Sequence, residues 1–120
     1  MSEQSFGKRR RLRKNWEFQK VYAQGQKKPE TFFTLHWLKL SSPQETRIGI
    51  CVGRKAGNAV LRNRIKRRLR EAIRTYPQAF APGYWLVIAA KKEMATAAPT
   101  PAKASLYLAI EEALGDHKHV

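Results

Sequence analysis

The sequence predicts an α/β sandwich, a single domain in which helices pack on a small central sheet. Three observations predict it. The apolar residues alternate between helical and strand periods in the order helix, two or more strands, helix, strand, helix. The 120 residues suffice for one core, which would bury roughly two-thirds of the surface exposed by the unfolded chain. A hydrophobic content of 42% is that of a chain with a real core, which excludes a disordered basic tail.

The elements follow in order. Residues 1–13 are polar and carry Lys8, Arg9, Arg10, Arg11 and Arg13, the composition of a flexible basic arm. Asn15 is a candidate N-cap for a short helix from Trp16 to Ala23, stopped by Gly25. Thr31 to Leu40 is rich in β-branched and aromatic residues and reads as a strand, and Ser41-Ser42-Pro43 makes the turn after it. A second strand spans Thr46 to Val52. Gly53 and Gly57 flank the way into a helix that runs from about Asn58, its cap, to Tyr76, where Pro77 ends it. Tyr84 to Ala90 is a continuous apolar run between Pro82-Gly83 and Lys91-Lys92, as in a strand buried on both faces. Residues 93–101 read as a loop. Leu106, Ala109, Ile110, Ala113 and Leu114 then stripe a last helix ending at Gly115, with residues 115–120 as a tail. The strand–helix–strand unit in the middle can form a parallel crossover, right-handed by the general rule.

The charge is unevenly placed. Net charge is +15, and residues 1–74 hold 20 basic and 5 acidic side chains, whereas residues 75–120 hold 4 of each. The whole excess therefore belongs to one part of the chain, which points to one positive surface and not to general solubility. It is densest in residues 53–74, with nine Lys/Arg against the single acid Glu71. Within that stretch Leu61, Ile65, Leu69, Ala72 and Ile73 fall on one helical face. Asn63, Arg67, Arg70 and Arg74 point roughly the opposite way, with Arg62, Arg64, Lys66 and Arg68 on the flanks. A merely solvated face would mix signs for i,i+4 pairing. A helix with one apolar face and a nearly unpaired cationic one is suited to a polyanion.

Other chemistries find little support. Asp116 is the only aspartate, the glutamates are scattered, and no acidic cluster stands ready to hold catalytic metals. His36 falls in a strand, and His117 and His119 read as an incidental tail. Cys51, the only cysteine, permits no internal disulfide and reads as a small buried hydrophobe. The basic start has no apolar run behind it, and Tyr84–Ala90 is too short to span a bilayer. A cytoplasmic location without membrane attachment is the default expectation.

The aromatic residues are a second signal. Phe18, Val21 and Tyr22 share one face of the first helix, beside Lys14 and Lys20. Spacing alone leaves two readings: a face packed into the core, or rings that stack on the bases of a single strand.

The run Arg54-Lys55, Gly57-Asn58-Ala59-Val60, Arg62-Asn63-Arg64-Ile65-Lys66-Arg67 resembles the bacterial ribonuclease P protein subunit. Arg11-Leu12-Arg13-Lys14-Asn15 with Phe18-Gln19-Lys20-Val21-Tyr22 looks like that family's first helix. Arg47-Ile48-Gly49-Ile50 looks like its central strand, and the strand ending Ala90-Lys91-Lys92 also matches, so roughly residues 9 to 92 are covered. The resemblance implies an α/β sandwich whose strand–helix–strand crossover is left-handed, against the general rule. It implies removal of the 5′ leader from precursor tRNA, with the catalytic site in an RNA subunit that holds Mg²⁺. It also implies that Arg62, Asn63, Arg64, Lys66 and Arg67 meet the catalytic RNA, with Arg54, Lys55 and Arg70 alongside. Lys14, Phe18, Tyr22 and His36 would line a cleft for the single-stranded leader, which favours stacking over core packing. Here His36 stands where Tyr is frequent in the family, and Tyr22 where Phe is common. The rival from another class is a structural RNA-binding protein such as a small ribosomal protein. A DNA-binding regulator is disfavoured, because a strand and not a second helix precedes the basic helix.

Overall fold

A computed structural model of the chain describes residues 10–76 and 80–115. Helix α1 spans Asn15–Gln24, α2 Ala59–Arg74 and α3 Pro99–Gly115; strands β1 to β4 are Gln26–Pro29, Phe33–Lys39, Arg47–Val52 and Tyr84–Ala90. The sheet order is β1-β2-β4-β3, with β2 antiparallel to both β1 and β4, and β3 parallel to β4. β3 and β4 are thus the parallel pair expected of the strand–helix–strand unit, joined through α2. The mixed sandwich predicted from the sequence is the fold observed.

Each face of the sheet has its own core. Phe33, Leu35, Ile48, Leu86 and Ile88 meet Ile65, Leu69, Ala72 and Ile73 of α2 and Leu106, Ala109 and Ile110 of α3. On the other face Val21 of α1 packs with Leu12, Trp85 and Val87. Strand β4 therefore contributes to both cores, which is why its sequence shows no alternation. The predicted stripes of α2 and α3 are the buried ones, apart from a half-buried Leu61.

Several boundaries differ from expectation. Strand β1 carries no apolar signal because it is an exposed edge: Gln26, Lys27, Lys28 and Pro29 all face water. Its Pro29 is tolerated there because an edge has a side that needs no donor. The α1 cap is Lys14, one residue before the expected Asn15, because the Glu17 carboxylate does the capping. Helix α3 begins at Pro99, and a short 3-10 turn occupies Lys92–Ala95, so much of the expected loop over 93–101 is ordered. Prolines are acceptable in a first helical turn, where the amide has no partner in any case.

The basic arm expected over residues 1–13 lies outside the described residues up to residue 9. Its end is anchored. Leu12 is buried, its amide bonds the Ile48 carbonyl at 3.0 Å, and Arg11 bridges to Ile48, so this segment lines the outer edge of β3. Asp116, His117 and His119 of the expected tail also lie outside the described residues, as does Pro77. Among the described residues, no helix is long and apolar enough to cross a membrane.

Candidate nucleic-acid interface

The way into α2 is built by local constraints. After β3 the chain makes a 3-10 turn over Arg54–Ala56, and buried Ala56 ties it to the core. Gly57 follows with φ of +131°, and a Cβ there would come within 2.8 Å of Leu61 Cδ1, so only glycine fits. Asn58 then caps α2, its Oδ1 accepting from the Leu61 amide at 3.0 Å. Arg54 and Lys55 are left exposed just ahead of the helix.

The helix places its cations much as the sequence indicated. Asn63, Arg64, Arg67, Arg70 and Arg74 are exposed, and Arg62, Lys66 and Arg68 are half-buried. Two of the arginines are committed elsewhere. Arg74 pairs with Glu71, and Arg68 turns inward to donate to the carbonyls of Met94 at 3.1 Å and Ala97 at 2.6 Å. Among the described residues, none of Arg54, Lys55, Arg64, Lys66, Arg67 or Arg70 has a carboxylate partner. The first turn of α2 has no acid to meet its positive dipole end, while Arg62 and Arg64 sit close to it. Arg62 to Lys66 and Lys66 to Arg70 are like-charge i,i+4 pairs. This arrangement opposes helix stability, and an anionic partner would relieve it.

Lys91 and Lys92 extend the cationic surface. With Arg54 and Lys55 they ring an open bowl of about 890 Å³ beyond the C-terminal ends of β3 and β4. Their sequence signal was present but bland, two lysines bounding a strand. Only the parallel pairing of β3 with β4 sets them beside Arg54 and Lys55.

The aromatic flank is positioned by one buried acid. Glu17 is 4% exposed; its Oε1 accepts from the amides of Arg13 at 2.9 Å and Lys14 at 3.0 Å, and its Oε2 from Arg47 Nη1 at 2.8 Å. Arg47 Nη2 also donates to the Arg11 carbonyl at 2.7 Å. The clamp joins the segment before α1, the first turn of α1 and β3, and so fixes how α1 is rolled on the sheet. Burial by itself would raise the Glu17 pKa, but the two amides and Arg47 outweigh it and hold the carboxylate below its ordinary value. The stabilisation is therefore complete above the ordinary value of about 4.5 and is lost as pH falls through the lower folded value. Glu17→Gln should melt well below the parent at pH 7, and the gap between the two melting temperatures should narrow as the pH is taken below 4.5. A gap that stays constant with pH would show that the charge of Glu17 contributes nothing.

With α1 fixed in this roll, Phe18 lies against the backbone of Gly49 in β3, where a Cβ would come within 2.6 Å of the ring. Tyr22 is 37% exposed and meets His36 edge to face, with ring centroids 4.8 Å apart. Partial burial and the neighbouring Cys51 raise the Tyr22 pKa well above that of a free phenol, so the ring is neutral. Burial, helped by Lys27, lowers the pKa of His36 below its ordinary 6.5, so its ring is also uncharged at pH 7. Cys51 is half-buried at this cleft and not sealed in the core as its strand context suggested. Three of the four predicted cleft residues are thus brought together. The fourth, Lys14, is exposed at the start of α1. Arg13 instead lines the groove of about 260 Å³ that joins Phe18 to Ile50 and to Arg70 of α2. Among the described residues, no three His, Cys, Asp or Glu side chains gather as a metal site.

Comparisons with known proteins agree with this geometry. A family model described as Ribonuclease P matches residues 6–113. A ribonuclease P protein component of Symbiobacterium thermophilum is 44% identical over 82 residues, covering 68% of this chain and 71% of the relative. One from Bacillus cereus is 39% identical over 99 residues, covering 82% of this chain and 86% of the relative. The solved ribonuclease P protein of Staphylococcus aureus superposes with a TM-score of 0.77 at 28% identity, over 88% of this chain and 96% of that one. The Thermotoga maritima protein, at 24% identity and a TM-score of 0.75 over 85% of this chain and 96% of that one, shares the fold. None of these relatives supports the ribosomal-protein alternative.

Proposed function

The chain belongs to the ribonuclease P protein family, and from that premise we propose that it is the protein subunit of a ribonucleoprotein endonuclease that removes the 5′ leader of precursor tRNA. In this reading the RNA subunit carries the catalytic site and holds Mg²⁺, and the protein binds and positions. Arg54, Lys55, Arg62, Asn63, Arg64, Lys66, Arg67 and Arg70 meet phosphates of the catalytic RNA. Phe18, Tyr22 and His36 present ring faces to the unpaired leader bases, and Arg13 and Lys14 attend its backbone. Stacking of this kind tolerates any base sequence, as a processing enzyme with many precursors requires. The observation that carries the reading is the groove in which Phe18 of the aromatic flank and Arg70 of the basic helix share one wall system. A single strand leaving the RNA-bound face of α2 enters the cleft directly.

The test uses the assembled holoenzyme. Phe18→Ala and Tyr22→Ala should each weaken precursor tRNA binding by about 1–3 kcal/mol. Mature tRNA, which has no leader, should bind almost unchanged. Both rings are partly exposed, so each variant should lose less stability than the roughly 3–5 kcal/mol expected for a fully buried phenylalanine. Equal losses for precursor and mature tRNA, or a full core-sized loss of stability, would mean the rings are packing elements and not a leader site.

A further inference from the structure

Helix α1 has a second aromatic flank, on the side away from Phe18 and Tyr22. Trp16 is 57% exposed, a large ring left in water. It rests against Trp85 of β4, with ring centroids 5.9 Å apart and planes inclined by 60°. Trp85 is buried and held by cations, with Lys20 Nζ 5.7 Å and the Arg47 guanidinium carbon 5.6 Å from its ring centre. Arg47 is fixed in turn by the Glu17 clamp. Trp16 therefore sits on a rigid base. Lys20 lies one turn along the same side of the helix, and among the described residues neither it nor Arg13 nor Lys14 has a carboxylate partner. An exposed indole among unpaired cations suits a nucleobase with its phosphate, because the ring stacks on the base while the cations meet the charge.

Strand β3 gives the order of the sites. Cys51, beside Tyr22, lies nearest to Gly53 and the basic turn. Gly49, under Phe18, comes next, and Arg47, against Trp85, is farthest. A strand that enters at the Gly53 end of β3, beside the exposed Arg54 and Lys55, thus passes Tyr22, then Phe18, and then the start of α1. There the side chains of Arg13 and Lys14, both exposed, favour phosphate. The next ring beyond that point is Trp16. We propose that Trp16 is a further stacking position for the leader, holding a base more distant from the cleavage site than those on Tyr22 and Phe18. The proposal rests on the leader-cleft reading and extends it around the N-terminus of α1.

The experiment measures holoenzyme affinity for precursor tRNAs whose leaders are shortened one nucleotide at a time. Trp16→Ala should weaken binding of long-leader precursors about fivefold to a hundredfold. That loss should vanish as the leader shortens, and at a greater leader length than the loss caused by Phe18→Ala. Trp16→Phe should retain most of the affinity, whereas Trp16→Leu, which still covers Trp85 but offers no π-face, should behave like Ala. A loss independent of leader length, no loss at any length, or a Leu variant as good as Phe would overturn the proposal. The last outcome would make Trp16 a lid on Trp85, and a length-independent loss would assign it to another partner. A leader-dependent Phe18→Ala effect beside a silent Trp16→Ala would remove this inference alone. Silence of both would remove the leader cleft as well.

Discussion

Affinity for the RNA subunit is expected to fall about a thousandfold or more when salt is raised from roughly 50 to 200 mM. The expectation rests on Arg54, Lys55, Arg64, Lys66, Arg67 and Arg70, which have no carboxylate partner among the described residues and are free to displace counterions from phosphates. Half-buried Arg62 and exposed Lys92 can add to them, giving about six to eight contacts, each steepening the dependence by nearly one unit in log–log slope. Affinity titrations at several salt concentrations measure that slope. Arg67→Ala should reduce it by about one and weaken binding to all RNA sequences alike. A slope near zero would mean that the exposed face of α2 is not the interface, whatever the family relation.

The second large effect is on stability and concerns three consecutive residues of α2. Leu69 is 1% exposed within the core beneath the sheet, so Leu69→Ala should cost about 2–5 kcal/mol. Arg68→Ala should cost about 1 kcal/mol or more, because two carbonyls at the turn before α3 lose their donor. Arg67→Ala should change stability little, since its side chain is exposed and unpaired. Denaturant unfolding of the three variants, read with the salt slopes, separates their roles. Leu69 and Arg68 should affect stability and leave the slope near that of the parent, and Arg67 should do the reverse. If Arg67→Ala unfolded the protein, the assigned orientation of the helix would be wrong.

Much of this arrangement was legible in the chain itself. The stripe from Leu61 to Ile73 keeps helical spacing throughout, so it gave both the buried face of α2 and the face left exposed. The Gly57-Asn58 pair marked the start of the helix through two independent constraints, a left-handed backbone and a cap. The parts that were not legible depend on contacts distant in sequence. Arg68 looks like any flanking cation until the turn at Met94–Ala97 arrives beneath it. Glu17 looks like a surface acid of a short helix, and its burial requires Arg47, thirty residues later. β1 has no hydrophobic pattern because it pairs only with β2 and all four of its residues are exposed. The aromatic face of α1 was ambiguous for a simpler reason. Val21 faces the core while Phe18 and Tyr22 sit at its margin, and one spacing describes both situations.

The two borders of the sheet have a consequence for the molecule before it meets RNA. An open strand border is a template on which a second copy can add its own strand, and a short-lived unbound subunit is the species most exposed to that hazard. Here one border is the β1 ribbon of Lys27, Lys28 and Pro29, and the other is partly occupied by the chain's own Arg11 and Leu12. The charged Lys27, a Lys28 tied to Glu112 of α3, and a residue without an amide donor make the first a poor template, and the second is already part-filled. The same excess of positive charge that draws the protein to a polyanion therefore also keeps its copies apart, so nascent subunits should remain dispersed until RNA neutralises them.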